Sequence, residues 1–525
     1  SLLASCTTDP KQYDILQVYI VYFGHHGGEK TFQEIEENHY SYLSSVKQTA
    51  ADARSSLIYS YKHSINGFAA LLTPDEASKL SRKDGGSGVC SSEPSKEILF
   101  AYYEIMGISR FAKWTKPHHL KKEDLLMKSK YGNDIIVGML DNGIWPESKS
   151  FSDEGMGKVP PRWKGICQSG DAFNSSNCNK KIIGARYYLK GYEAYYGRLN
   201  RTIDYKSSRD KDGHGTHTSS TVGGRLVHNA SALGGFAGGT ASGGVPLVRL
   251  AMYKVCWAVP GVEKAEGNTC FEEDMLAAMD DAIADGVDVI SISIGTSKPV
   301  PYTEDGIAIG ALHAMKENIV VSCSAGNSGP NAPTLSNPAP WIITVGASTL
   351  DREFISSIEL GNGMKLEGQS VTPYTLEKKM YPLVYAAQVL NPNVPKNESG
   401  QCLPGSLSPE KSKGKIIFCM RGVGARIGKG LEVKRAGGIG MILGNSKENG
   451  DVLDPDSYFL PATGVTHFSA VKIFKYIFST KEPMAYILPR TTVLHTKPAP
   501  TMAIFTSRGP NTVSPDILKP DITAP

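Results

Sequence analysis

Short, continuous apolar runs recur through the middle of the chain. Ile-Ile-Val-Gly-Met-Leu at 135–140, Leu-Ala-Met-Tyr-Lys-Val at 250–255, the stretch 287–294 and Ile-Val-Val-Ser-Cys at 319–323 are too short for helices. They lack polar alternation, which predicts strands buried on both faces. Between them lie helical patterns. Glu272, Glu273 and Asp274 open one whose Met275, Leu276, Met279 and Ile283 share a face and which Gly286 ends; residues 306–318 form another. Buried strands alternating with amphipathic helices predict an α/β fold: a parallel sheet with helices on both faces and a site at the strands' carboxyl ends.

The flanking segments have other rhythms. Residues 18–23, 57–61 and 68–72 read as strands, and 32–49 as a helix with acidic residues near its start. A second, short helix is predicted with Thr73 as N-cap and Pro74 in its first position. Strand, helix, strand, strand, helix is the order of a small split βαβ module. From about 360 to 500 the central pattern is interrupted by a strand-rich unit, with strands at 381–385, 414–419 and 438–443 and a helix near 427–436. Residues 83–130 fit neither pattern.

Three polar residues stand where those elements would hold them. Asp141 ends the run 135–140, so it is a carboxylate delivered by a buried strand. His214, in Asp-Gly-His-Gly-Thr-His-Thr at 212–218, opens a helix, where dipole and burial are expected to keep its ring neutral and able to accept a proton. Asn327 lies in Ala-Gly-Asn-Ser-Gly-Pro after the run 319–323, a turn that exposes an amide able to donate to an oxyanion. Any one of them alone is more simply a cap or a packed polar side chain. His217 is expected to pack rather than bind a metal, because no Glu stands between it and His214.

The blocks Asp-Asn-Gly-Ile-Trp-Pro-Glu-Ser from Asp141, His-Gly-Thr-His-Thr from His214 and Ala-Gly-Asn-Ser-Gly-Pro around Asn327, in that order, resemble three of the four signature blocks of the subtilisin-like serine proteases. Trp-Pro-Glu-Ser, Tyr-Lys-Val-Cys-Trp at 253–257 and the 360–500 insertion are similar to plant subtilases of the cucumisin type. The resemblance implies a subtilisin-like sheet preceded by an inhibitory prodomain and interrupted by a β-rich protease-associated domain. The implied layout is a leader at 1–16, prodomain 17–83, junction 84–130, catalytic domain 131–359, insertion 360–500 and catalytic domain resuming at 501–525.

It also implies chemistry. Asp141 orients His214, His214 relays the proton of a serine nucleophile, and Asn327 bonds the oxyanion, while Ser293, Ile294 and Gly295 resemble the strand that pairs with an extended peptide. The family's Gly-Thr-Ser-Met-Ala-like block is expected downstream of Pro525. No serine here is therefore assigned the nucleophile, and the 525-residue chain by itself is expected to be inactive. The rival reading is a non-catalytic pseudoprotease, or a peptide-binding or inhibitory remnant. Implied partners are a polypeptide substrate, the chain's own prodomain and, through the insertion, a second copy.

Composition narrows the rest. A net charge of +4 on 56 basic and 52 acidic residues argues for neither a nucleic-acid nor a membrane partner, and no apolar run is long enough to span a bilayer. Nine cysteines include three locally spaced candidate pairs, Cys167 with Cys178, Cys256 with Cys270 and Cys402 with Cys419, leaving Cys6, Cys90 and a buried Cys323. With Asn-x-Ser/Thr sequons at Asn174, Asn200, Asn229 and Asn397, they favour a glycosylated protein secreted to the extracellular space or cell wall. Residues 2–5 read as the tail of a signal peptide. The glycines at 234–239 and Gly422, Gly424 and Gly428 miss the phosphate-loop and dinucleotide spacings, and no metal cluster stands out, so no cofactor is expected.

Overall fold

A computed structural model describes residues 16–83, 88–91, 125–261, 268–296 and 299–525. The leader reading at 2–5, Cys6, the side chain of Cys90 and most of the junction lie outside the described residues.

The N-terminal unit is a four-stranded antiparallel sheet, Leu57–Tyr61, Asn66–Leu72, Gln17–Gly24 and Gly88–Ser91 in spatial order. The last strand lies past residue 83, inside the stretch that fits no pattern in the sequence. Helix Phe32–Ser44 begins at a reciprocal Thr31–Glu34 cap and stops short of residue 49. Thr49 is the reason: extended at φ −133°, it takes the N–H of Asp52 on its side chain and starts a separate helix, Ala50–Ser56. Thr73 caps Pro74–Lys83 as expected, in a reciprocal pair with Glu76.

Alternation along the first strand gives the sheet two buried faces. Tyr19 and Val21 pack with Leu43, Phe68 and Leu80 under the unit's own helices. Val18 and Ile20, with Ile58, Tyr61 and Ile65, join the core around helices Glu272–Asp285 and Gly306–Lys316. The N-terminal unit thus shares its apolar core with the central domain.

The central sheet has seven parallel strands in the order Ile522–Ala524, Ile343–Ala347, Val320–Ser324, Val289–Ile292, Ile136–Asp141, Arg249–Lys254 and Ile182–Tyr187. Every residue of Ile136–Asp141 and of Arg249–Lys254 is buried, as the unbroken apolar runs require. Helix Glu272–Asp285 ends at Gly286, whose φ of 89° is left-handed.

A second seven-stranded sheet runs Lys365–Leu366, Ile358–Leu360, Met484–Ile487, Tyr381–Tyr385, Ile416–Met420, Gly440–Gly444 and Ala462–Val465. Helix Arg426–Arg435 matches expectation, whereas His467–Ser479, capped by Thr466, is an additional helix whose Ala470, Ile473 and Ile477 reach the core. The glycine-rich turn before Arg426 is braced from within, since Lys429 Nζ donates to the carbonyls of Gln401 and Val423. Cys167–Cys178, Cys256–Cys270 and Cys402–Cys419 are bonded, and Cys323 is a buried free thiol.

Candidate active site

Asp141 is the last residue of its strand and is fully buried. Its Oδ1 lies 2.7 Å from His214 Nδ1 and accepts the N–H of Asn142 at 2.8 Å. Thr218 Oγ1 is 2.9 Å from Oδ2. His214 is the first residue of helix His214–Gly223, and Gly213 before it has φ 117°, a conformation that glycine adopts without strain.

The loop carrying His214 is held from several sides. Asp210 accepts the N–H groups of Asp212, Gly213 and Thr216 and the hydroxyl of Thr216. Asn142 spans the ring's flanks, donating Nδ2 to Asp212 Oδ1 at 2.6 Å and accepting the N–H of Gly215 at 2.7 Å. Ile144 donates its N–H to the carbonyl of Ser208 and accepts the N–H of Asp210, backbone bonds that stitch the Asp141 loop to the His214 loop. Beneath them the buried Lys254, level with Asp141 in the ladder, donates to Asp204 and to the carbonyl of Arg209.

These neighbours reverse one expectation. Burial, the largest single effect on His214, lowers its pKa, but the carboxylates of Asp141, Asp212 and Asp210 together hold it above the ordinary value. The ring is therefore a stronger base than a helix N-terminus alone would make it. His217, half-buried, is pushed down to about 4 by desolvation and by the charge of His214, against a smaller upward pull from Asp141. It lines a cleft of about 510 Å³ beside His214 with Trp145, Tyr205, Asp210, Lys211, Asp212 and Thr216.

Asn327 follows strand Val320–Ser324, two strands from Asp141 in the same parallel sheet. Two inter-strand spacings set these strands about 10 Å apart, and residue 327 follows the carboxyl end of one as Asp141 closes the other. Its turn is braced by a segment remote in sequence: Ser507 donates its N–H to Gly326 and accepts the N–H of Ser328. A Cβ on Gly326, where φ is +96°, would lie 2.7 Å from Ser507 Oγ, so the turn needs glycine.

Between these strands lies Val289–Ile292, with Ile292 level with Leu140 on one side and Cys323 on the other. The strand expected to reach residue 294 stops at Ile292. Asn337 Nδ2 captures the carbonyl of Ile294, and a Cβ on Gly295 would meet Ser336 at 2.8 Å, so the backbone leaves the ladder there. Ser293 and Gly295 remain half-buried beside Asp141, and Ile294 is buried. The four sequon residues Asn174, Asn200, Asn229 and Asn397 are exposed.

Sequence reasoning missed Asn142, Asp210, Thr218 and Lys254. Thr218 alone carried a usable signal, since it follows His214 by four residues and therefore shares its helix face.

Comparison with known proteins agrees with this architecture. Residues 132–525 match the subtilase family of peptidases and residues 18–97 the peptidase inhibitor I9 family. The whole chain is 58% identical to a subtilisin-like protease, SBT5.6, of Arabidopsis thaliana and 54% identical to another, SBT5.5, covering 67% of the length of each. The chain belongs to the subtilase family of serine proteases, with an inhibitor I9 unit ahead of its central domain.

Proposed function

We propose that the protein is a secreted serine endopeptidase that cuts polypeptides at the carboxyl edge of the central sheet. The observation that carries this reading is the 2.7 Å contact between Asp141 Oδ1 and His214 Nδ1. Asp141 fixes the tautomer with hydrogen on Nδ1, so Nε2 takes the proton of a serine hydroxyl as its oxygen attacks the peptide carbonyl. Asn327 donates to the oxyanion. Collapse expels the amine, which takes the proton from Nε2, and water repeats the sequence to free the acyl group. Substrate backbone pairs with Ser293 and Gly295, because the carbonyl of Ile294 is engaged by Asn337.

In this reading the nucleophile comes from a segment of the full protein outside these 525 residues, residues 360–500 act as a protease-associated domain, and the N-terminal unit inhibits until it is removed. Exposure of Asn174, Asn200, Asn229 and Asn397 supports glycosylation on a secretory route. The test is reaction of the full-length protein, freed of its N-terminal unit, with a fluorophosphonate probe and a peptide library. Labelling and cleavage, both lost in Asp141→Asn, support the proposal. A folded full-length protein that neither labels nor cleaves would instead be a peptide-binding relative.

A further inference from the structure

We propose that Thr218 is a positioning residue for Asp141, its hydroxyl donating to Oδ2 and thereby turning Oδ1 toward Nδ1 of His214. The inference rests on the catalytic reading of that pair. Asn142 N and His214 Nδ1 both approach Oδ1, at 2.8 and 2.7 Å, and Thr218 Oγ1 approaches Oδ2 at 2.9 Å. A carboxylate bonded at one oxygen can rotate about its Cβ–Cγ bond. A donor on the second oxygen resists that rotation.

Thr218 is suited to this task. It stands one helical turn beyond His214, so both side chains project toward the end of strand Ile136–Asp141. The residue is 5% exposed, so bulk water has little access to replace its hydroxyl. Its β-branched side chain has few rotamers in a helix.

One alternative acceptor competes for the single hydroxyl hydrogen, the carbonyl of Gly215 at 3.1 Å. Bonding there would be the ordinary back-bond of a helical threonine. The carboxylate is closer and charged, and charge-assisted bonds are the stronger kind.

The consequence is read at His214. The ring is faced by Asp141 from the strand, by Asp210 and Asp212 from its own loop and by His217 from its own helix, with Lys254 beside Asp141 in the ladder. Burial depresses the ring's basicity and the carboxylates restore it. A carboxylate free to swing away leaves burial dominant, and the protonation midpoint of His214 falls.

The test follows His214 by ring ¹⁵N resonances in the 525-residue chain, with His214→Gln identifying the signal. Thr218→Val is expected to lower the midpoint by about one pH unit, and Thr218→Ser to restore it. In the full-length enzyme Thr218→Val lowers kcat about 10-fold with KM within about 2-fold, the share of a charge-assisted hydrogen bond felt at the transition state. If the valine variant does not fold, Thr218→Ala is read in its place with the same expectation. A midpoint unchanged or raised in a folded variant overturns the proposal and leaves Thr218 bonded to Gly215. The titration needs no turnover, so an inactive full-length protein would overturn the peptidase reading while the midpoint still judged Thr218.

Discussion

The carboxylate of Asp280, on a helix of the central domain, accepts the backbone N–H of Ile65 in the N-terminal unit at 2.9 Å. The same carboxylate takes the N–H groups of Lys62, His63 and Ser64 at 2.8 to 3.0 Å, closing one turn of the unit onto a single buried charge. Tyr59 adds a bond to Asp274, and Tyr22 one to His313.

Asp280→Ala strips that turn of its acceptor. Hydrogen bonds to a charged group and the amides left unpaired together amount to ~3 kcal/mol, so the affinity of a separately made N-terminal unit for the central domain falls on the order of 100-fold. Isothermal titration calorimetry measures it. An affinity within about 3-fold of wild type would show that the apolar interface alone holds the unit.

Two buried histidines respond to acid. Burial pushes His39 and His313 down to about 4, the latter helped by the charges of His25 and Lys316. Between pH 6.5 and about 4 the unfolded chain binds protons that the folded chain refuses. Their contribution is complete above the free value of 6.5 and is lost as pH falls, on the order of 2 kcal/mol for each ring. His63 works in the opposite sense: its bond to Asp281 raises its pKa, giving stability below the free value that disappears as pH rises through the folded one. Carboxyls that burial raises, Glu272 to about 8 and Asp274 to about 6, act in the same sense as His63, so the prediction is made on one ring: His39→Gln loses less urea resistance between pH 7 and pH 4.5 than the wild-type chain does. An equal loss in the two chains would contradict it.

In the full-length enzyme, Asp141→Asn reverses the hydrogen-bond preference at Nδ1 and should lower kcat about 10⁴-fold. Asn327→Ala should lower it about 10² to 10³-fold, a magnitude carried over from subtilisin itself, with KM little changed. Steady-state kinetics on one peptide separates the two. A loss confined to KM in Asn327→Ala would place that amide in substrate binding.

Within the second sheet, Arg426 bonds Asp456 through Nε and Nη2 at 2.6 and 3.1 Å, and Tyr458 donates to the same carboxylate. Arg426→Ala leaves Asp456 buried without its cation and is expected to destabilise that unit by about 3–5 kcal/mol. Chemical denaturation followed by hydrogen exchange at the strand Ile416–Met420 reads the change. Exchange there as slow as in wild type would mean that the loop relaxes and admits water to Asp456.

The placement of Asp141, His214 and Asn327 at strand and helix ends was legible because each is joined to a pattern with a physical cause: a doubly buried run, a glycine-flanked helix start and a glycine turn after a strand. Four of the seven strands of the central sheet and several helix ends were legible for the same reason, Gly286 and the Thr73–Glu76 cap among them. Strand Gly88–Ser91 was not, because its glycine-rich sequence has no apolar period and its place comes from pairing with Gln17–Gly24. Helix His467–Ser479 had readable spacing at Ala470, Ile473 and Ile477, hidden inside a segment that otherwise reads as strands.

What residue order determined by itself was the α/β architecture and the chemical types standing at its strand and helix ends, because burial and capping act over a few neighbouring residues. Folding in three dimensions decided how those groups behave. Asp141 and His214 are 73 residues apart, and Ser328 and Ser507 are 179 apart, yet each pair is in hydrogen-bonding contact. The basicity of His214 follows from three carboxylates around one buried ring, and the seat of the N-terminal unit from one carboxylate under four amides. Electrostatic energy depends on distance through space and on the exclusion of water, and neither quantity is written in the spacing of residues along the chain.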